Sequence, residues 1–179
     1  MKIIFLDIDG VLNTSKTFED IYFENKNTGV FRIEIDEFRV AFLKEIVDLT
    51  GANIVLTASM RGCLKKQNGV IVGINNQGQQ LLEIFSKYNL EIFDITPTDK
   101  KSSRKNEILM WLHYNGDVES FLILDDEIGD LDIFIDNGLL HIRNNIEEFN
   151  ANNNGLCGHH IDTAVSILNE KQEKNIKKV

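Results

Sequence analysis

Residues 1–13, MKIIFLDIDGVLN, open the chain with an apolar run that two acids interrupt, Asp7 and Asp9, and that Gly10 ends. Ile, Phe and Leu in unbroken succession suit a strand buried on both faces, the pattern of a parallel sheet covered by helices. Two carboxylates two positions apart do not suit a strand interior. They suit its open end, where a glycine lets the chain turn away. Further runs of the same kind follow: ANIVLTAS at 52–59, LEIFDI at 90–95 and SFLILDD at 120–126, with LLHI at 139–142 as a last short strand.

Helical periodicity fills the intervals. Asp36 is placed to cap a helix reaching about Thr50, with Phe38, Phe42, Ile46 and Leu49 at helical spacing and Gly51 as its stop. Helices are also expected over Gln79–Tyr88, over 104–115 with Ile108, Leu109, Trp111 and Leu112 on one side, and over Ile161–Glu173. Residues 14–35 are mixed and read as a small flap, a hairpin turning around Asn27–Gly29. Residues 62–78 read as a polar loop with a short apolar run at Val70–Val72. Strands alternating with helices imply an α/β fold, a Rossmann-like three-layer sandwich around a central parallel sheet. Ligands of such sheets bind beyond the carboxyl ends of the strands.

The bulk composition narrows the class. The chain of 179 residues suits one domain, and 42% hydrophobic with 26% charged residues is the profile of a globular protein. A formal net charge of −9 does not support broad electrostatic capture of nucleic acid or of an anionic membrane. The opening apolar stretch is too short and too acidic for a signal segment or a membrane span. Cys63 and Cys157 lie far apart, outside metal-ligand spacing, and read as reduced thiols of a cytoplasmic protein. The Asn-rich pieces at 25–27 and 150–154 read as loops, and the charged tail from Lys171 as a helix end or frayed terminus.

Polar residues collect at the strand ends. The first strand offers Asp7 and Asp9; the second offers Thr57, with Ser59 and Arg61 just beyond; SFLILDD offers Asp125 and Asp126, with Asp130 further on. Arg104 and Lys105 open the helix before that last strand. Carboxylate pairs converging from two strands repel one another, and a cation between them relieves the repulsion. Oxygen donors without His or Cys favour a hard ion, Mg²⁺.

FLDIDGVLN, with its DxDG core, resembles the first motif of the haloacid-dehalogenase-like (HAD) phosphohydrolases. Thr57 is similar to that superfamily's second motif, Lys105 to its third, and LILDDEIGD to its fourth, in the expected order over residues 5–130. The resemblance implies Asp7 as the nucleophile that forms an aspartyl-phosphate, and Asp9 as general acid and base, its backbone carbonyl facing the metal. It further implies that Gly10 turns the chain at the phosphate, that Thr57 bonds the phosphoryl oxygens and that Lys105 offsets their charge. Asp126 with Asp125 would hold Mg²⁺. Ser59 is the alternative to Thr57, and Arg104 the alternative to Lys105; Arg61 could bind a second substrate phosphate, with a surface arginine as the plain alternative. An Asp at position 9 favours a phosphatase or phosphotransferase over the dehalogenases and transport ATPases. His141, His159 and His160 read as structural or surface residues, and Trp111 as core.

Neither residues 14–35 nor the interval between Ser59 and Arg104 has room for a full cap domain. A minimal cap or none leaves the site open to a phosphorylated macromolecule, a nucleic-acid end or a phosphoprotein; small phosphoesters remain open. VLTASMR and NEILMWL also resemble small capless members associated with nucleic-acid end repair. The competing readings are a non-catalytic phospho-binding or regulatory module of the same fold, which would be expected to lose Asp7 or Asp9, and a receiver-like signalling domain. The receiver's phosphorylated Asp lies on a later strand, which disfavours it.

Overall fold

A computed structural model describes residues 1–97, 102–144 and 154–170. Residues 98–101, most of the Asn-rich piece at 150–154 and the tail from Lys171 lie outside the described residues. Five parallel strands form the central sheet: β1 (Lys2–Leu6), β2 (Asn53–Leu56), β5 (Ile92–Ile95), β6 (Ser120–Asp125) and β7 (Leu139–His141), in the order β5-β2-β1-β6-β7. β1 is the middle strand, with Leu6 beside Leu56 on one side and Leu124 on the other.

The strand side chains divide by alternation. Ile4, Leu6, Ile54, Leu56, Leu122 and Leu124 face one helical layer. It contains Leu43 and Ile46 of α2 (Glu37–Thr50), Leu81 and Phe85 of α3 (Asn76–Lys87), and Ala164 and Leu168 of α5 (Ile161–Asn169). Ile3, Phe5, Val55, Phe121 and Ile123 face the other layer, with Ile108 and Trp111 of α4 (Arg104–Tyr114) and with Leu131 and Phe134 of a 3₁₀ segment. Phe5 meets Trp111 edge-on at 5.4 Å and Phe121 at 6.0 Å. Both faces of β1 are therefore sealed, which is why its sequence is apolar without alternation.

Local signals set the helix ends. The Asp36 carboxylate accepts from the Phe38 backbone N–H, and Gly51, at φ 66°, ends α2 in the left-handed conformation. The buried apolar stripe of α2 is Val40, Leu43 and Ile46; Phe38 and Leu49, though at helical spacing, are exposed on its flanks.

Two segments differ from the sequence reading. Residues 14–35 are not a hairpin: α1 (Ser15–Thr28) occupies most of them, its start fixed by a reciprocal capping box between Thr14 and Thr17. The Asn27–Gly29 turn signal is instead this helix's C-terminal stop, with Gly29 at φ 68°. Ile21 anchors α1, whereas Phe18, Tyr22 and Phe23 are exposed. Residues 62–78 are not simply a loop, because β3 (Leu64–Gln67) and β4 (Val70–Gly73) pair antiparallel. Asn68 and Gly69 both have positive φ in the turn between them, as a two-residue hairpin requires. Neither interval holds a cap domain among the described residues. No described helix is long and apolar enough to cross a membrane.

Candidate active site

The parallel ladder continues one residue past the strands. Asp7 N–H donates to the Leu124 carbonyl at 3.0 Å, and Thr57 N–H to the Leu6 carbonyl at 2.9 Å. Asp7, Thr57 and Asp125 thus stand side by side on three adjacent strand ends. Carboxylate oxygens of Asp7, Asp125 and Asp126 lie within 4.8 Å of one another. Arg104 reaches into this group from the start of α4: its Nη1 lies 3.0 Å from Asp7 Oδ2 and 2.5 Å from Asp125 Oδ2.

Electrostatics follow from burial. Asp7 is 5% exposed, and loss of solvent pushes its carboxyl up to about 6; Arg104 opposes that rise and Asp125 adds to it. The Asp126 carboxyl is also raised, by burial first and then by Asp125 and Glu127. Three carboxylates face one guanidinium, so negative charge is left over. The donors are all oxygens, so a hard divalent cation fits the set and would relieve the repulsion.

The turn after β1 is shaped around Asp126. Gly10 has φ 72°, and a Cβ there would lie 2.0 Å from Asp126 Oδ2. Any side chain at Gly10 would displace this carboxylate. Asn144 Nδ2 donates to the Gly10 carbonyl at 3.0 Å and lies 3.4 Å from Asp126 Oδ2, joining the two. Asp9, at the start of this turn, is exposed. Its Oδ1 accepts from Asn13 Nδ2 at 3.0 Å, while Asn13 Oδ1 accepts from the Gly10 N–H at 2.9 Å. The side chain of Asn13, itself 1% exposed, therefore sets both the turn and the Asp9 carboxylate.

Thr57 is fully buried, and its Oγ1 has no hydrogen-bond partner among the described residues. Buried hydroxyls are normally satisfied, so a hydroxyl without a protein partner on the strand end next to Asp7 is placed to donate to a bound acceptor. Ser59 lies two residues on, exposed at the start of a 3₁₀ turn. A groove of about 470 Å³, lined by Arg61, Leu64, Thr96, Trp111 and Tyr114 among others, runs beside β5 rather than over Asp7.

Two sequence expectations need correction. The cation in contact with Asp7 is Arg104, the alternative, rather than Lys105: one residue along a helix rotates a side chain by about 100°, and it is Arg104 that meets Asp7 and Asp125. Lys105 is half-buried, and its backbone N–H donates to Asp130 Oδ2 at 3.0 Å. Asp130 therefore braces the start of α4; despite partial burial, bonds from Ser103 and Lys105 hold its carboxyl below the usual range. Arg61 does not offer a free guanidinium to a second phosphate. Its Nη2 lies 2.7 Å from both carboxylate oxygens of Glu107, and its Nη1 donates to the carbonyls of Thr57 and Ala58.

Sequence reasoning missed Asn13, Asn144 and Glu107. Asn13 carried a usable signal, a polar residue closing an apolar turn four positions after Asp9. His141 Nε2 pairs with the Asp126 carbonyl at 2.9 Å, and His160 Nδ1 accepts from the Cys157 N–H at 3.0 Å, while His159 is exposed.

A comparison with protein families matches residues 3–146 to the family described as the HAD domain in Swiss Army Knife RNA repair proteins. That span runs from β1 through β7 and includes every residue of the acidic group and Arg104. No curated protein and no solved structure gives a significant match.

Proposed function

The chain belongs to the family of HAD domains in Swiss Army Knife RNA repair proteins, a phosphatase-type group of the HAD phosphohydrolases, and on that premise we propose that it is a Mg²⁺-dependent phosphomonoesterase acting through Asp7. The observation that carries this reading is the fully buried, unpartnered Thr57 hydroxyl beside the Asp7 carboxylate. It supplies a hydrogen-bond donor for phosphoryl oxygens next to a nucleophile.

In the first step an Asp7 carboxylate oxygen attacks phosphorus, and the bond from phosphorus to the leaving oxygen breaks. Asp9, exposed and steadied by Asn13, gives its proton to that oxygen. The product is an aspartyl-phosphate. In the second step Asp9 takes a proton from water, the water oxygen bonds to phosphorus and the Asp7–phosphorus bond breaks, releasing phosphate. Thr57 donates to the phosphoryl oxygens throughout. Arg104 holds Asp7 in its charged form and offsets the charge that gathers in the transition state. Asp7, Asp125 and Asp126, with the Asp9 carbonyl, would hold Mg²⁺, which supplies Lewis-acid stabilisation of the phosphoryl oxygens.

The absence of a cap domain among the described residues and the RNA-repair family favour a phosphorylated nucleic-acid end as substrate. With a net charge of −9, recognition would rest on the end itself and not on capture of many backbone phosphates. Residues 14–35, largely α1, would act as a small flap on a single unit spanning 1–179. The test is hydrolysis of an aryl phosphate, of 3′- and 5′-phosphorylated oligoribonucleotides and of a phosphopeptide, with Mg²⁺ or chelator. Metal-dependent turnover that Asp7→Asn abolishes is expected; full activity in that variant would remove Asp7 from the nucleophile's place. Faster turnover of the phosphopeptide than of either RNA end would overturn the substrate class.

A further inference from the structure

The Arg61–Glu107 pair makes no bond to Asp7, Asp125 or Asp126, yet it joins the two elements that flank them. Arg61 lies four residues past Thr57, and its guanidinium folds back onto the carbonyls of Thr57 and Ala58. Its other amino group meets both oxygens of Glu107 at 2.7 Å. Glu107 stands three residues after Arg104 on α4, close to one helical turn, so the two side chains leave neighbouring positions of one face. A single helix thus carries the cation that grips Asp7 and the anion that holds Arg61 against the Thr57 backbone.

We propose that Glu107 is a positioning residue, which acts through Arg61 to hold the Thr57 hydroxyl at the phosphoryl site. The inference rests on the phosphatase reading above. Stability alone does not account for the pair. The side chains are 11% and 7% exposed, and desolvated pairs of this kind are often no better for stability than packed apolar groups. Arg61 Nε is moreover buried without a partner among the described residues, a cost that a purely structural contact has no reason to keep. What apolar groups could not supply is two donors aimed at successive carbonyls at the exit of β2. Those donors fix the peptide plane between Thr57 and Ala58, and the direction of the Thr57 side chain follows from it.

Glu107→Gln keeps the shape of the side chain but removes the charge that orients Arg61. Displacements of about 1 Å at reacting groups cost on the order of 100-fold. The variant is therefore expected to lower kcat for an aryl phosphate by about 10- to 100-fold. The discriminating measurement repeats the substitution in a Thr57→Val background. If Glu107 acts through the hydroxyl, the same change there costs less than about threefold, because the group it positions is gone. An equal loss in both backgrounds, or no loss in either, would overturn the positioning role. Should Glu107→Gln fail to fold by circular dichroism, Glu107→Asp, which keeps the charge and shortens its reach, is put through the same pair of backgrounds. Wild type that turns over no phosphoester would overturn both the phosphatase reading and this one; coupling failure in an active wild type would overturn this one alone.

Discussion

Thr57→Val exchanges a hydroxyl for a methyl on a side chain that is fully buried and otherwise almost unchanged in shape. In the free protein that hydroxyl has been taken from water without a partner in return. A buried polar group left unsatisfied costs about 1–3 kcal/mol, so the substitution should stabilise the fold by up to that amount. For a chain of this length each kcal/mol moves the unfolding midpoint by roughly 2–4 °C. Catalysis should move the opposite way. Loss of one preorganised donor to developing charge typically costs about 10²- to 10³-fold in kcat. The assays are thermal unfolding without ligand and Mg²⁺-dependent hydrolysis of an aryl phosphate. A variant that is destabilised by more than about 1 kcal/mol while hydrolysing at the wild-type rate would refute the reasoning, since the hydroxyl would then be satisfied within the protein and unused by substrate.

Mg²⁺ should stabilise the fold by relieving repulsion among Asp7, Asp125 and Asp126, by about 2.7 kcal/mol at a hundredfold excess over Kd, read as a rise in unfolding temperature, and Asp126→Asn should remove most of that shift. An undiminished shift in the variant would place the ion elsewhere. Gly10→Ala should abolish the same Mg²⁺ response, because its Cβ would occupy the space of the Asp126 carboxylate at a φ of 72° that alanine resists; a normal response would show that the turn adapts. Acid sensitivity should trace partly to His160, whose folded pKa is lowered from 6.5 to about 4 by burial first and then by the nearby His159 and Arg39 charges. The unfolded chain takes up that proton first, so its contribution is complete above pH 6.5, falls as pH drops toward 4 and levels off below. That shift is worth roughly 3 kcal/mol. His160→Asn, which can still accept the Cys157 N–H, should flatten urea-derived stability over that window, and an unchanged slope would assign the effect to other groups.

Much of the sheet was readable because burial on both faces leaves a strong apolar imprint: β1, β2 and β6 run close to their expected bounds. The end of α2 was readable for a different reason, since Gly51 has a conformation that only a few residues accept. Residues 14–35 misled because Asn27–Gly29 can close a hairpin or stop a helix, and the deciding capping box lay thirteen positions upstream at Thr14–Thr17. The choice between Lys105 and Arg104 turned on helical phase, which neighbouring cations do not reveal. Glu107 was invisible for a related reason. An acid on an amphipathic helix normally faces water, and only the fold brings Arg61, 46 positions away, to meet it.

The central position of β1 has a consequence for how activity is acquired. Its partners are far off in the chain: Leu6 pairs with Leu56 on one side and with Leu124 on the other. Pairing across such separations closes long loops before any contact compensates the lost chain entropy, and it is intrinsically slow. Asp7, Thr57 and Asp125 come together only when both pairings exist. A refolding chain should therefore regain helical signal well before it regains any turnover. Under the proposed function, activity would serve as a reporter of the last long-range pairing.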